Sequence, residues 1–257
     1  MKYFKGLIGL ARFGEWLPIL QSNIIFAIAY LLLSETRQNP IVPVLLFIAF
    51  NSLVLLHGFI TNSIADRAHD SILNRNNGLS VISTNFAYAA VAILSLFILF
   101  ATYSFISNLF LGLLTLFFSF FYSHKPLRFK ENGILGPISA SLATTLLPFV
   151  FLIYASNADI VLGFYIALAL FTRQTLFEMT HQLDDLDADK SLGVKTIATT
   201  IGGRKMLNLT KAFSAFFVIV VCLAPIFWPL QGIALVILFA IFSIGHLLHI
   251  FRSYNYS

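Results

Sequence analysis

Charge is what this sequence has least of. Of 257 residues only 11% are Asp, Glu, Lys or Arg, against about 25% in an ordinary soluble domain. A soluble globular class is therefore excluded. Cysteine occurs once, as Cys222 inside an apolar run, so no intramolecular disulfide can brace the fold. The N-terminal region carries Arg12 and Glu15 and no small-residue cleavage site, which argues against a cleaved signal peptide. Acidic residues number 11 against 16 Lys and Arg. That basic excess is accounted for by membrane topology and anionic lipid, and no nucleic-acid partner is expected.

What the chain does have is long apolar stretches: 58% of it is hydrophobic, with 28 phenylalanines. Runs near the length that crosses a bilayer as a helix lie at Leu17–Leu33, Ile41–Thr61, Val81–Tyr103, Leu109–Tyr122, Ile134–Ala155, Ile160–Thr180, Met206–Trp228 and Gly232–Ile250. The fourth is short. The runs are continuous rather than alternating, so they predict helices and not a barrel. The expected fold is all-α: a multi-pass transmembrane helical bundle of eight helices, a ninth being left open, around a central cavity open to the cytoplasmic face. The whole chain, 1–257, reads as one integral-membrane domain. Residues 1–16, with Lys2, Lys5 and Arg12 among apolar neighbours, fit an interfacial helix or an ordered lead-in to the first span.

Loop charge orients the bundle. The connections after spans three, five and seven are short and carry no Lys or Arg. Those after spans two, four and six carry Arg67, Arg75, Lys125, Arg128, Lys130, Lys190, Lys195, Arg204 and Lys205. Basic loops stay inside, which places these three loops and both termini in the cytoplasm, at a cell membrane of bacterial type.

The polar clusters fall on that same side. Asn62, Asp66 and Asp70 are spaced by four, one stripe of a helix. Asp185 and Asp189 repeat the spacing, with Glu178 two turns before and His181 between. Either pair alone reads as a solvated helix face. Two such pairs facing each other would repel, and hard oxygen donors suit Mg²⁺ held by carboxylates and substrate phosphate. Lys125, Arg128 and Lys130 in "YSHKPLRFK" then have an anion to hold. The constellation reads as a diphosphate site with apolar substrate lying between helices. Arg173, inside the sixth span, is an intramembrane charge and so a site candidate by default. A salt bridge to Glu178 and a cavity-lining anchor are its two readings. His57 is a further candidate for the cavity wall. His246 and His249 are read as snorkelling or helix–helix hydrogen-bonding groups rather than a metal pair. Pro148 and Pro225 are expected to kink their spans.

Three motifs in order resemble those of the UbiA superfamily of intramembrane prenyltransferases. They are N-x-x-x-D-x-x-x-D at Asn62, Asp66 and Asp70 followed by Asn74–Arg75; the Y-S-x-x-P-x-R-x-K loop from Tyr122; and D-x-x-x-D-x-x-x-G-x-x-T at Asp185, Asp189, Gly193 and Thr196. The resemblance implies Mg²⁺-dependent transfer of a prenyl group from a polyprenyl diphosphate to a small aromatic or lipid-like acceptor through an allylic carbocation, in quinone, pigment or lipid biosynthesis. It implies two Mg²⁺ ions bridged by the diphosphate, with Asn62, Asp66, Asp70, Asp185 and Asp189 carrying the metals. Arg75, Lys125, Arg128, Lys130, Arg173 and His181 are assigned to the diphosphate, and Tyr122 and Glu178 to orienting or deprotonating the acceptor. A terpene cyclase of the same superfamily would begin with the same ionisation. A cation transporter is a third reading, and it would place carboxylates within the spans. The chain departs from the pattern at Ser63, where an aspartate is usual, at Asn76–Asn77 after Arg75, and in offering eight spans where nine are usual.

Overall fold

The structure is a computed structural model that describes residues 6, 9–34, 39–67 and 82–252. Among these, seven helices are long and apolar enough to cross a membrane and an eighth is shorter. In chain order they are α1 (Phe13–Leu33), α2 (Ile41–Ala65), α3 (Thr84–Ile106), α4 (Leu109–Phe121), α5 (Leu135–Ser156), α6 (Ile160–Asp184), α7 (Gly203–Phe227) and α8 (Pro229–Arg252). No strand occurs among the described residues. The eight expected spans therefore stand, including the short fourth, and the expected multi-pass bundle is the observed fold.

Three of the helices start on side-chain caps. Ser83 caps α3 and Asn108 caps α4 with side-chain oxygens, while Asp159 accepts from Val161 and Leu162 at the start of α6. These caps satisfy backbone donors that nothing in a bilayer would otherwise meet. Pro148 has no N–H for the carbonyl of Thr144 one turn back. Residues Leu142–Leu146 widen into a π turn there, and Asn23 of α1 donates its amide to Thr144 O at 3.0 Å. Near Pro225 the α7 helix breaks at Leu223, and the chain turns at Trp228 into α8. Gly232 sits so close to Ala224 that a Cβ would come within 2.4 Å of its backbone.

The largest core joins α1, α2, α5, α6, α7 and α8 through Phe26, Tyr30, Phe47, Phe149, Ile166 and Phe239. A second core stacks Phe50 on Phe151, ring centroids 4.2 Å apart. Hydrophobic burial contributes little between helices in lipid, so close packing and interhelical hydrogen bonds carry the assembly. Examples are Tyr30 OH donating to Asp159 O at 3.0 Å, and the expected histidine contacts: His246 with Thr180 at 3.1 Å and His249 with Asp184 at 3.5 Å. The outer surface exposes Leu32, Leu96, Phe110, Ile226 and Leu230, as a lipid-facing surface should.

Candidate active site

One end of the bundle gathers the start of α1, the end of α2, the end of α4, the start of α5 and the end of α6. Between them lies a cavity of about 620 Å³. Its wall includes Asn62, Asp66, Tyr122, Arg128, Lys130, Glu178, His181, Asp185 and Asp189. Nine of the thirteen residues singled out from sequence thus meet in one place. Asp70 and Arg75 lie outside the described residues.

The first carboxylate group is built on the end of α2. The helix stops at Ala65, and Asp66 caps it with its N–H still bonded to Asn62 O at 2.9 Å. Asn62 and Asp66 therefore keep their one-turn relation. Asn62 Oδ1 accepts from Ser123 Oγ at 2.7 Å and from Lys130 Nζ at 3.3 Å. Asp66 forms a close ion pair with Lys130 and a longer one, 3.6 Å, with Arg128. Ser63, where the resemblance expects aspartate, does not reach the cavity. It is fully buried and donates to Leu10 O at 3.1 Å, tying the N-terminal segment to α2.

The basic loop is folded back on itself to deliver those cations. Lys130 N bonds Tyr122 O at 3.0 Å, Arg128 N bonds His124 O at 2.9 Å, and Arg128 adopts a left-handed φ of 37°. Gly136 at the start of α5 allows this: a Cβ there would stand 3.2 Å from Lys130 Cα. Arg128 is also held by Glu131 at 2.7 Å. Burial pushes the Lys130 ammonium below its ordinary pKa, and Asp66 beside it pulls it back up. His124 is lowered by burial and then by Lys130 and Arg128, and its ring stacks on Phe120 at 4.4 Å. Lys125 does not face the cavity. Its side chain is exposed at the loop's outer turn, because the chain reverses through Lys125–Pro126 before Arg128 turns inward.

The second carboxylate group straddles a helix break. The α6 helix ends at Asp184; Asp185 bonds back to His181 O at 3.0 Å and then precedes a short helix, Leu186–Ser191. Asp189 N bonds Asp185 O at 2.8 Å, so the two carboxylates stay one turn apart and both line the cavity. Gly193, at φ +69°, then reverses the chain, and Val194 N returns to Asp189 O at 2.9 Å. Thr196 lines the cavity and caps the following helix, Ile197–Ile201. His181 approaches Asp185 at 3.4 Å. Glu178 lies one turn deeper than His181 and Gln182, and it accepts from Gln174 at 3.0 Å.

Arg173 is in neither predicted place. It makes no salt bridge to Glu178 and does not line this cavity; it bonds Ser243, Ser22 and Phe242 O in a groove elsewhere. Five residues along a helix turn a side chain through about 140°, which carries Arg173 off the Glu178 stripe. His57 is buried behind the wall, with Nδ1 2.7 Å from Ser119 Oγ. Sequence reading missed Arg12, Glu15, Ser119 and Gln182, which all line the cavity. None belongs to a motif. Ser119 stands in an unbroken apolar run, and only the neighbouring helix reveals its direction.

The site offers amide and carboxylate oxygens from the end of α2 and from the break after α6, with an ammonium and a guanidinium paired to Asp66. Among the described residues, no three His, Cys, Asp or Glu side chains converge closely enough to hold a metal alone. The oxygen donors present suit a hard divalent cation that takes one or two carboxylates and completes its shell from phosphate and water.

The fold and site define a membrane-type helical bundle with a charged, partly apolar cavity at one end. A sequence model of the UbiA prenyltransferase family matches residues 23–257. The chain belongs to that family and is a multi-pass membrane prenyltransferase. No curated protein matches it. Its fold is similar to that of a UbiA homolog from Archaeoglobus fulgidus bound to GPP and Mg²⁺, with a TM-score of 0.78 at 18% identity over 100% of this chain and 89% of that one. The same homolog bound to DMAPP and Mg²⁺ gives the same figures. A digeranylgeranylglyceryl phosphate synthase is similar with a TM-score of 0.70 at 21% identity, covering 96% of this chain and 88% of that one.

Proposed function

We propose that this enzyme transfers a prenyl group from a polyprenyl diphosphate to a small aromatic or lipid-like acceptor, with Mg²⁺, in the making of a quinone, pigment or membrane lipid. The observation that carries the reading is that Asn62, Asp66, Asp185 and Asp189 line one cavity, with Lys130 and Arg128 paired to Asp66 in it. The Archaeoglobus homolog of the same fold holds prenyl diphosphates together with Mg²⁺. Asn62, Asp66, Asp185 and Asp189 are the proposed metal ligands, joined by Asp70 from outside the described residues. Bound there, Mg²⁺ would supply Lewis-acid neutralisation of the diphosphate's charge.

The chain's own residues do the remaining work. Lys130 and Arg128 turn from Asp66 to the diphosphate oxygens, where charge grows as the leaving group departs. Arg75, outside the described residues, and His181 are proposed as outer phosphate contacts, and Lys125, which faces away from the cavity, is not. Val54, Ile19, Phe59 and Phe177 line the cavity and keep water from the allylic cation. Tyr122 and Glu178 face the same cavity; Tyr122 orients the acceptor and Glu178 takes its proton. The basic loops support a cytoplasmic position for this end.

Purified protein in nanodiscs, given Mg²⁺, a series of allylic diphosphates and aromatic or lipid acceptors, tests the proposal. Prenylated acceptor and free diphosphate should appear together and vanish with EDTA. Cyclic hydrocarbon formed without acceptor would replace transfer by cyclisation. No diphosphate release with any chain length would overturn both.

A further inference from the structure

A second void, of about 570 Å³, lies between α1, α6 and α8. It is lined by Pro18, Gln21, Ser22, Ile24, Ile25, Arg173 and Phe242, and shares only Pro18 with the active-site cavity. Arg173 is its one charged group. Eleven residues of helix separate Arg173 from Asp184 at the polar end of α6, roughly 16 Å at 1.5 Å per residue. That is near the middle of a hydrocarbon layer about 30 Å thick.

A guanidinium at that depth is costly and pairs with an opposite charge or with backbone carbonyls. The structure gives Arg173 three hydrogen bonds, all to neutral acceptors: Nε to Ser243 Oγ at 3.2 Å, one terminal nitrogen to Ser22 Oγ at 3.1 Å and the other to Phe242 O at 3.1 Å. No carboxylate among the described residues pairs with it. A guanidinium has five N–H donors. Three are used, which leaves one N–H on each terminal nitrogen for a further acceptor. The three bonds tie α1 and α8 to α6, but a neutral glutamine could make such ties without bringing a charge into the membrane.

We propose that the groove is a binding site for a lipophilic carboxylic acid, with its carboxylate on Arg173 and its apolar body against Pro18, Ile24, Ile25 and Phe242. Depth selects this chemistry. A phospholipid phosphate stays ionised and is held at the interface about 15 Å away. A carboxylic acid crosses hydrocarbon in its neutral form and binds as the carboxylate, its proton returning to water. Two sources share this chemistry, a membrane fatty acid and an acidic acceptor of the prenyl group. The site stands whether or not the main cavity takes a diphosphate.

The test uses the full chain in phosphatidylcholine nanodiscs. Binding of a dansylated long-chain fatty acid is compared with its methyl ester, and an aromatic carboxylic acid with its amide. The acid of at least one pair should bind about tenfold or more tightly than its neutral partner, the worth of one charge-assisted contact. Arg173→Gln should erase that preference and Arg173→Lys should keep part of it. If Arg173→Gln does not fold, Ile24→Trp narrows the groove with Arg173 in place and should weaken the acid's binding. An acid that emerges prenylated identifies the acceptor as the source; one that is bound and unchanged identifies a membrane acid. Equal binding of acid and neutral form in both pairs, or a preference that survives Arg173→Gln, overturns the proposal.

Discussion

The two carboxylate groups carry the same D-x-x-x-D spacing and are built differently. Asp66 has a side chain 14% exposed and already holds two cations, Lys130 and Arg128. Asp185 is 31% exposed and is approached by His181. The first group is therefore a preassembled charge cluster whose cations are also the proposed phosphate ligands. The second sits on a helix break between α6 and Leu186–Ser191. One half holds two cations, the proposed phosphate ligands, against its own carboxylate, and in the other Asp185 is more open to solvent.

This difference makes stability and activity separable. Asp66→Ala should produce the largest effect, because it strands the buried Lys130. Loss of about 3 kcal/mol of stability is expected, with diphosphate release falling about a hundredfold or more. Asp185→Ala should match that fall in activity while costing no more than about 1 kcal/mol. Thermal unfolding of both variants beside a diphosphate-release assay measures the pair. Equal destabilisation would break the comparison.

A smaller effect is expected at Gly136. Alanine there meets the Lys130 backbone at 3.2 Å and should cost about 1–2 kcal/mol as overpacking, with a raised KM for diphosphate because Lys130 shifts. Beside the second carboxylate group a Cβ at Gly193 meets no atom within 4 Å, so alanine there acts through its φ of +69° and not through overpacking.

The smallest effect is a pH dependence. His124 packs behind the basic loop with its pKa lowered by burial and by Lys130 and Arg128. Below its unfolded value of about 6.5 the unfolded chain binds a proton that the folded chain resists. Stability should therefore hold above about pH 6.5 and decline as pH falls below it. Phe replacing His124 should flatten that decline in denaturation series run across this range.

Sequence made the spans legible because continuous apolar runs are the strongest signal a membrane chain emits, and even the short α4 fell where expected. The site was legible where motifs lay next to helix ends. It failed where direction mattered. Arg173 and Glu178 are close in sequence yet about 140° apart around α6, so one faces the cavity and the other a separate groove. Lys125 and Lys130 share a loop, and only the fold-back bond from Lys130 N to Tyr122 O decides which turns inward. Ser63 is spoken for by Leu10 O, fifty-three residues earlier in the chain. Ser119, His57 and Gln182 depend on which helices are neighbours, and no local spacing encodes that.

The most direct test of the central claim is equilibrium binding of an unreactive prenyl thiodiphosphate to the protein in nanodiscs, with and without Mg²⁺, for the natural chain, Asp66→Ala and Asp185→Ala. Shared coordination across the cavity predicts tight binding that requires Mg²⁺ and is lost in either variant. Binding that is independent of Mg²⁺ and unchanged in both variants would contradict it.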